Sequence, residues 1–565
     1  MNYIDFFRKN NAKSFSELFS LNDLIEKKMI SNDLNLTHKI NLSVAASSST
    51  NGLKEVLRVQ CAKYDINANI YISEYNQYVQ EILNPKSSIY SCDPDAIFLS
   101  IDLRTLAGEK FFNPYKSNSN ASQYEDWAKE IVDLFNNLIE SALNNSKATI
   151  ILSNLENPIF SPLGLMESKQ YFGFFEAVKN INHYFGKLAK NNSRVFLFDY
   201  DLFLSRLGKD NVFDPKMYYL GDLKLKTKYI PNLCYEYTRF VKALKVAQKK
   251  CLVLDLDNTL WGGILGEDGI DRIKLGPNPE GKSFLEFQHQ ILGFHQRGII
   301  LAINSRNNFD EALEVINNHP HMVLTKEHFS SFKINWNDKV QNLKEISQDL
   351  NIGLDSMVFF DDDDFNKELV RSMLPMVEVA DLPKDFTKYS DFLINSSYFD
   401  TLNLTQEDLK KGEMYFQENE RKKLKMNFKN IEDYLLSLEM KISIEEKNID
   451  HLERVFQLTQ KTNQFNMTTV RYSLDQIEFF FKSDDHEVYT LSLSDKFGDY
   501  GLTGVIIIKK EKNWRIETFL MSCRILGRKI ENAFLSYVSE KAILSKVRKL
   551  EGIFVQTDKN LPAKG

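Results

Sequence analysis

At 565 residues, with 43% apolar and 26% charged side chains, the chain is too long for a single hydrophobic core and has the make-up of a well-packed soluble protein of three or four domains. Lys and Arg number 71 against 77 Asp and Glu, a net charge of −6, which excludes a nucleic-acid footprint and gives no sign of a membrane-surface partner. The five cysteines lack paired spacing, which excludes a disulfide framework and fits a reducing compartment.

The opening stretch is polar and amphipathic, without a signal-peptide pattern, and no apolar run is long enough to span a bilayer, so a cytoplasmic location is expected. Residues 1 to 40 read as helix from the spacing of Phe6, Phe7, Phe15, Leu18, Phe19, Leu21 and Leu24. Apolar runs at 40–46, 68–72, 96–101, 148–152 and 195–198 then alternate with helical patterns, predicting a mostly parallel sheet covered on both faces. A second α/β unit starts after Lys249-Lys250, with strands expected at 251–256, 299–304, 322–324, 357–360 and 377–379. The stretch 381–403 reads as a connection, and Thr405-Gln-Glu-Asp408 as a capping box opening a charged helix to about Leu424. From Ile431 the pattern becomes helix, strand, two helices, three consecutive strands (488–493, 504–508, 514–521), a helix at 527–547 and a strand at 552–555.

The densest chemistry lies in Cys251-Leu-Val-Leu-Asp-Leu-Asp-Asn-Thr-Leu260, where a hydrophobic strand ends in two carboxylates two residues apart. Side chains so spaced share a strand face, so Asp255 and Asp257 can meet one ligand at the strand's C-terminal edge. One carboxylate suits attack on phosphorus and the other proton transfer, and adjacent acids call for a cation between them. Taken alone the pair also fits an Asx turn with incidental acids. Ser305 ends the next expected strand, Lys339 opens a helix, and 357–360 runs into Asp361-Asp362-Asp363-Asp364. These four anchors, in this order, resemble the four motifs of the haloacid dehalogenase (HAD) superfamily.

That resemblance implies Asp255 as nucleophile, Asp257 as acid/base and Lys339 as the catalytic lysine. It implies phosphate binding by Asn258, Thr259 and Ser305, and a Mg²⁺ site drawn from Asp255, Asp257, Asp361 and Asp362. Lys333 is a weaker candidate for the motif lysine, and Asp363 and Asp364 suit a helix cap and first-turn charge. The intervals between motifs hold no large cap domain. The stretch Trp261–Gly269 suits a β-hairpin flap, so the site is expected to be open.

Leu254–Gly263, Gly266-Glu-Asp-Gly269, Ile334–Lys339 and Val358–Asp362 resemble the FkbH family, as do Gln457–Asn466, Asp495–Gly501 and Met521–Arg528. The resemblance implies an SGNH-hydrolase-like, flavodoxin-like doubly wound domain at 1–235 and a capless HAD-like Rossmannoid domain at 236–400. A helical connection at 401–430 and a GNAT-like α+β domain at 431–565, shortened at its end, would follow. It implies dephosphorylation of a phosphorylated acyl donor such as 1,3-bisphosphoglycerate, and loading of a glyceryl group onto an acyl carrier protein. An enzyme thioester takes part in that scheme; Cys523 is the motif cysteine that could carry it, the alternative being a buried, inert thiol that lets strand and helix pack closely. Arg524, Gly527 and Arg528 resemble the pyrophosphate loop of GNAT enzymes, implying coenzyme A or phosphopantetheine as a second cofactor. Two features depart from the family: Asn304-Ser-Arg-Asn307 stands where Cys-Ser-Lys-Asn is common, and Asp363-Asp364 where Asn-Pro is usual. A phosphatase for a free sugar phosphate and a non-catalytic carrier-binding scaffold remain alternatives. The first domain has Ser47-Ser-Ser-Thr-Asn51 at the nucleophile position but no histidine in Asp214–Asp222, so it is expected to bind rather than hydrolyse.

Overall fold

The computed structural model describes the chain except residues 1–2, 113–121, 162, 405–408, 410–413, 415–416, 419–420, 422–423, 426, 429, 463, 558–559, 561–562 and 564–565, and the side chains of 122, 123, 461 and 523. The chain is a mixed α/β multidomain protein with two parallel sheets and one largely antiparallel sheet. It divides into two units: residues 1–248 with 397–403, and 249–396 with 404–565. Among the described residues no helix is long and apolar enough to cross a membrane.

In the first unit the expected N-terminal helix is two, Tyr3–Lys9 and Phe15–Ile30, because Ser14 and Glu17 form a capping box that starts a new helix. Strands β1 (His38–Ala46), β2 (Ile66–Ile72), β3 (Ala96–Ser100), β4 (Thr149–Ser153) and β5 (Val195–Phe198) form a parallel sheet in the order β2-β1-β3-β4-β5. This is the flavodoxin-type order, in which ligands sit beyond the carboxyl ends of the strands. Helix Ile230–Lys245 runs past residue 235 and packs into this unit's core through Leu233, Tyr237 and Val241.

The second unit opens with β6 (Cys251–Leu254), β7 (Ile300–Ser305), β8 (Phe329–Ile334), β9 (Met357–Phe360) and β10 (Glu378–Val379), in the order β10-β9-β6-β7-β8. The third strand lies at 329–334, not 322–324. At the expected place the backbone N–H groups of Val323 and Leu324 donate to the Gln288 side chain instead of to a neighbouring strand (3.0 and 3.3 Å). The stretch read as a connection contains helix Tyr389–Asn395, whose Tyr389 ring packs edge-on against Phe287. The capping box expected at Thr405–Asp408 lies outside the described residues.

The last sheet is built from β11 (Lys441–Glu446), β12 (Phe465–Asn466), β13 (His486–Asp495), β14 (Gly498–Lys510), β15 (Trp514–Met521) and β16 (Leu550–Gly552). β11, β13, β14 and β15 are antiparallel neighbours. The free edge of β15 is shared by β12, which is antiparallel to it, and β16, which is parallel. Helix Ile530–Leu544 covers one face through Phe534 and Val538.

Candidate active site

In the second unit, β7 and β8 extend to one side of β6 and β9 and β10 to the other, so the topological switch falls between β6 and β9. Asp255 and Asp361 are the first residues beyond those two strands. Leu254 is registered with Phe360, and the Asp255 N–H donates to the Phe360 carbonyl (2.9 Å). Neighbouring strands lie about 4.8 Å apart, so acids at matched positions must converge. Carboxylate oxygens of Asp255, Asp361 and Asp362 lie within 4.8 Å of one another.

One cation enters this cluster. Lys339 Nζ lies 2.8 Å from Asp255 Oδ1 and 3.2 Å from Asp361 Oδ2, and donates to the Asn304 carbonyl at 2.6 Å. Its side chain is only 1% exposed. Burial alone disfavours the ammonium, but the charges of Asp255 and Asp361 outweigh it and raise the pKa. Lys339 is the first residue of helix Lys339–Leu350, capped by Asp338, whose side chain accepts from the Gln341 N–H (2.8 Å). An asparagine net fixes that helix start. Asn304 Nδ2 donates to the Lys339 carbonyl (3.0 Å), and Asn342 Nδ2 donates to Asn304 Oδ1 (3.0 Å) and Asn335 Oδ1 (3.1 Å).

Asp361 and Asp362 resist ionisation. Burial, followed by the charge of Asp255, pushes Asp361 up to about 7 and Asp362 up to about 6. Three hard oxygen donors against one ammonium form a set suited to a divalent cation of the Mg²⁺ class. The Asp257 side chain stands outside this cluster, contrary to its expected place among the ligands. Its Oδ1 accepts from Trp261 Nε1 (2.9 Å) and the Leu265 N–H (3.1 Å), and its Oδ2 from Asn307 Nδ2 (2.9 Å). Burial outweighs these bonds and raises its pKa, which suits a group that holds and releases a proton.

The remaining residues divide. Thr259 is fully buried and its Oγ1 has no hydrogen-bond partner among the described residues. Ser305 ends β7, buried, its carbonyl held by the Asn335 N–H (3.1 Å). Asn258 has a positive φ of 52°, and its Oδ1 accepts from the Gly263 N–H (2.9 Å), so its amide oxygen shapes the loop. Lys333 is taken up by Glu345 and Asp349 (2.9 and 3.0 Å). Asp363 caps helix Asp364–Met373 and Asp364 pairs with Lys367 (2.8 Å). The flap is a helical turn, Leu265–Asp268, closed by reciprocal Gly262–Lys274 backbone bonds, and not a hairpin. Asp268 Oδ2 accepts from the Ile264 N–H (2.9 Å), which winds the segment into a turn. Asn304, Asn307, Asn342 and Trp261 have no site role in the sequence motifs, although Asn304 and Asn307 stand beside Ser305 in the same motif and Trp261 opens the flap.

At the C-terminal loop the structure differs from the expected anion site. Arg528 Nη2 lies 3.0 Å from Glu418 and its Nη1 3.4 Å from Asp495, and its guanidinium stacks 4.7 Å over Tyr500. Arg421, 1% exposed, grips Asp495 with two bonds of 2.7 Å. The Arg528 charge is therefore matched within the protein. Arg524 donates to Ser522 Oγ (3.2 Å) and contacts Met414 Sδ (2.6 Å). Gly527 supplies a turn at φ +77°. The side chain of Cys523 lies outside the described residues.

Residues 41–242 match the family model "FkbH, N-terminal domain". Among solved structures the chain is similar to the N-terminal part of the protein BF1531 from Bacteroides fragilis, described as containing a phosphatase domain complexed with Mg. The two share 28% identity at a TM-score of 0.63, over 70% of this chain and 100% of that one. A ribosomal-protein-alanine N-acetyltransferase from Brucella melitensis biovar Abortus 2308 aligns over 21% of this chain and 83% of its own, at 14% identity and a TM-score of 0.17, too slight to bear on any residue. No curated protein matches the chain.

Proposed function

We propose that this chain is a Mg²⁺-dependent phosphatase of the HAD type, with Asp255 as its nucleophile. The observation that carries the proposal is the meeting of Asp255, Lys339, Asp361 and Asp362 at the switch point of a parallel sheet. The Mg-bound phosphatase domain of the Bacteroides fragilis protein supports the same reading. In this scheme an Asp255 oxygen attacks phosphorus, the bond to the leaving oxygen breaks, and Asp257 delivers its proton to that oxygen. Asp257 then takes a proton from water, whose oxygen attacks the aspartyl phosphate and releases phosphate with Asp255 regenerated. Lys339 balances charge on Asp255 and the transferring group throughout, with Thr259 and Ser305 proposed to meet the phosphate. Asp255, Asp361 and Asp362 would hold the Mg²⁺, which when bound offsets the negative charge gathered by phosphate and carboxylates.

For the substrate, the FkbH N-terminal match favours a phosphorylated small acyl donor of the glyceryl or bisphosphoglycerate kind, with an acyl carrier protein as acceptor. Trp336, 76% exposed on the loop after β8, and Phe365, 66% exposed in the first turn of helix Asp364–Met373 after β9, offer apolar contacts to a substrate body larger than phosphate. On this finer reading Cys523 carries the acyl group as a thioester. Cys523→Ala should then abolish carrier acylation, and carrier acylated at an unchanged rate would remove the thioester from the scheme. The test of the core proposal is hydrolysis of an aryl phosphate with and without Mg²⁺. Asp255→Asn should lower the rate roughly a thousandfold or more while the protein stays folded. Activity that survives either that substitution or chelation by EDTA would overturn the mechanism.

A further inference from the structure

The first unit holds a cavity of about 370 Å³ beyond the ends of its parallel strands. This lies within the range of about 300–1,000 Å³ usual for small-molecule sites, at the edge where such sheets bind ligands. The position that resembles a hydrolase nucleophile is not open to it. Ser47 is fully buried, and its hydroxyl donates to Asp102 Oδ2 (2.6 Å). Asp102 also accepts from the Thr105 N–H (2.9 Å) and hydroxyl (2.6 Å), and forms an ion pair with Lys224. That carboxylate is satisfied, and its work is to hold Ser47 and Lys224 in place.

The cavity itself is not satisfied. Arg104 lines it with its guanidinium carbon 4.2, 4.5 and 5.2 Å from the ring centroids of Tyr218, Phe112 and Phe111. Rings take the faces of a guanidinium, while its N–H bonds point outward in its plane. Among the described residues none of those N–H groups has an acceptor, no carboxylate pairs with Arg104, and its Nε is buried. Arg104 is half-buried, and a buried N–H such as its Nε is left without the acceptor that a buried donor normally has. On the same wall Asn157 spends its amide N–H on Asp201 (2.6 Å) and leaves Oδ1 buried without a donor. Glu156 also lines the cavity, and burial pushes its carboxyl up to about 7, so it can present a proton instead of a second negative charge.

We infer that this cavity binds a small organic carboxylate without hydrolysing it: Arg104 takes the carboxylate in its plane, Phe111, Phe112 and Tyr218 enclose the apolar body, and Asn157 accepts a hydrogen bond from a donor on the ligand. The planar fork of arginine matches a carboxylate in two parallel bonds, which a neutral amide of the same shape cannot replace. The site shares no residue with the phosphatase cluster and does not depend on the phosphatase reading.

The test is titration of the full-length protein with phenylacetate, 3-phenylpropionate and hexanoate, each paired with its uncharged amide, by ligand-observed NMR and calorimetry. At least one acid should bind saturably and about tenfold or more tightly than its amide. Arg104→Gln should remove that preference, with circular dichroism checking that the variant is folded. The comparison of acid with amide on the unmodified protein stands even where the variant fails to fold. Equal binding of acid and amide, retention of the preference in folded Arg104→Gln, or no saturable binding of any acid would each overturn the inference.

Discussion

The second unit carries two buried clusters of charge, and both follow motifs that stand out in the sequence. At the end of β6, three carboxylates face one ammonium, and Asp361 and Asp362 are driven toward their neutral forms. Beside helix Ile530–Leu544, Arg421 and Arg528 face Asp495 and Glu418, two against two. There the Asp495 carboxyl, which burial alone would raise, is held below its ordinary value by Arg421. The first cluster is short of positive charge, whereas in the second two guanidinium charges face two carboxylates. A buried ionic group reports on function when its neighbours leave it unmatched, and on architecture when they do not.

The largest effect that separates the two is expected at Lys339. Lys339→Met removes the one cation among three acids, and aryl-phosphate hydrolysis should fall roughly a hundredfold or more, since a preorganised charge at the transferring group is lost. Arg528→Met should leave that hydrolysis near wild type. Equal losses in the two variants would erase the distinction between an open and a closed cluster.

Next comes stability. Arg421→Met takes the two shortest bonds from the buried Asp495 carboxylate and leaves Arg528, at 3.4 Å, as its remaining cation, so the cost should be about 3 kcal/mol, the low end of the range for breaking a buried pair by removing one partner. Urea melts of the unmodified and mutant proteins measure it. A cost below about 1 kcal/mol, the range of exposed pairs, would place this cluster in solvent.

A smaller effect sharpens the picture of the open cluster. Asp362→Ala leaves Asp255 and Asp361 in place, so hydrolysis should persist but need about tenfold more Mg²⁺ for half its maximum. An unchanged Mg²⁺ requirement would remove Asp362 from the metal set.

How much of this was legible follows from how local each feature is. Asp255, Asp361 and Lys339 stand at ends of elements that apolar runs and helix periodicity mark, so a parallel sheet brings them together once its strands are found. The net of Asn304, Asn335 and Asn342 is different, because it joins a strand end, a loop and a helix by side-chain bonds that no period announces. Met322–Leu324 is apolar enough to read as the third strand in place of β8, while the Val323 and Leu324 N–H groups are taken by a single glutamine 35 and 36 residues away. The Arg528 partner Glu418 lies 110 residues before it, in a stretch that reads as a solvated charged helix. Chain ends of elements are readable, whereas charge balance across distant segments is not.

The edge of the first unit's sheet gives the finest test, because there an acid is kept neutral by burial rather than matched by a cation. The Glu156 carboxyl is raised to about 7 from an ordinary 4.5, burial being the main cause, against weaker lowering by its N–H contacts and the charge of Lys209. The folded protein therefore holds this proton more tightly than the unfolded chain does. Below about pH 4.5 both states are protonated and the stabilisation is fully present. As pH rises from there through about 7 the unfolded chain ionises first, and stability is lost. One proton can contribute a slope of at most about 1.4 kcal/mol per pH unit, a limit reached only when the two states differ by a whole proton. Glu156→Gln keeps the shape and removes the titration, so the variant should show a flatter profile across that window, and a gain over the unmodified protein that is greatest above pH 7. Hydrogen exchange of the β3 and β4 amides, measured at several pH values, reads this locally. A profile as steep in Glu156→Gln as in the unmodified protein would mean that the Glu156 carboxyl is already ionised when folded, and that this edge, like the Asp495 cluster, is balanced by a partner.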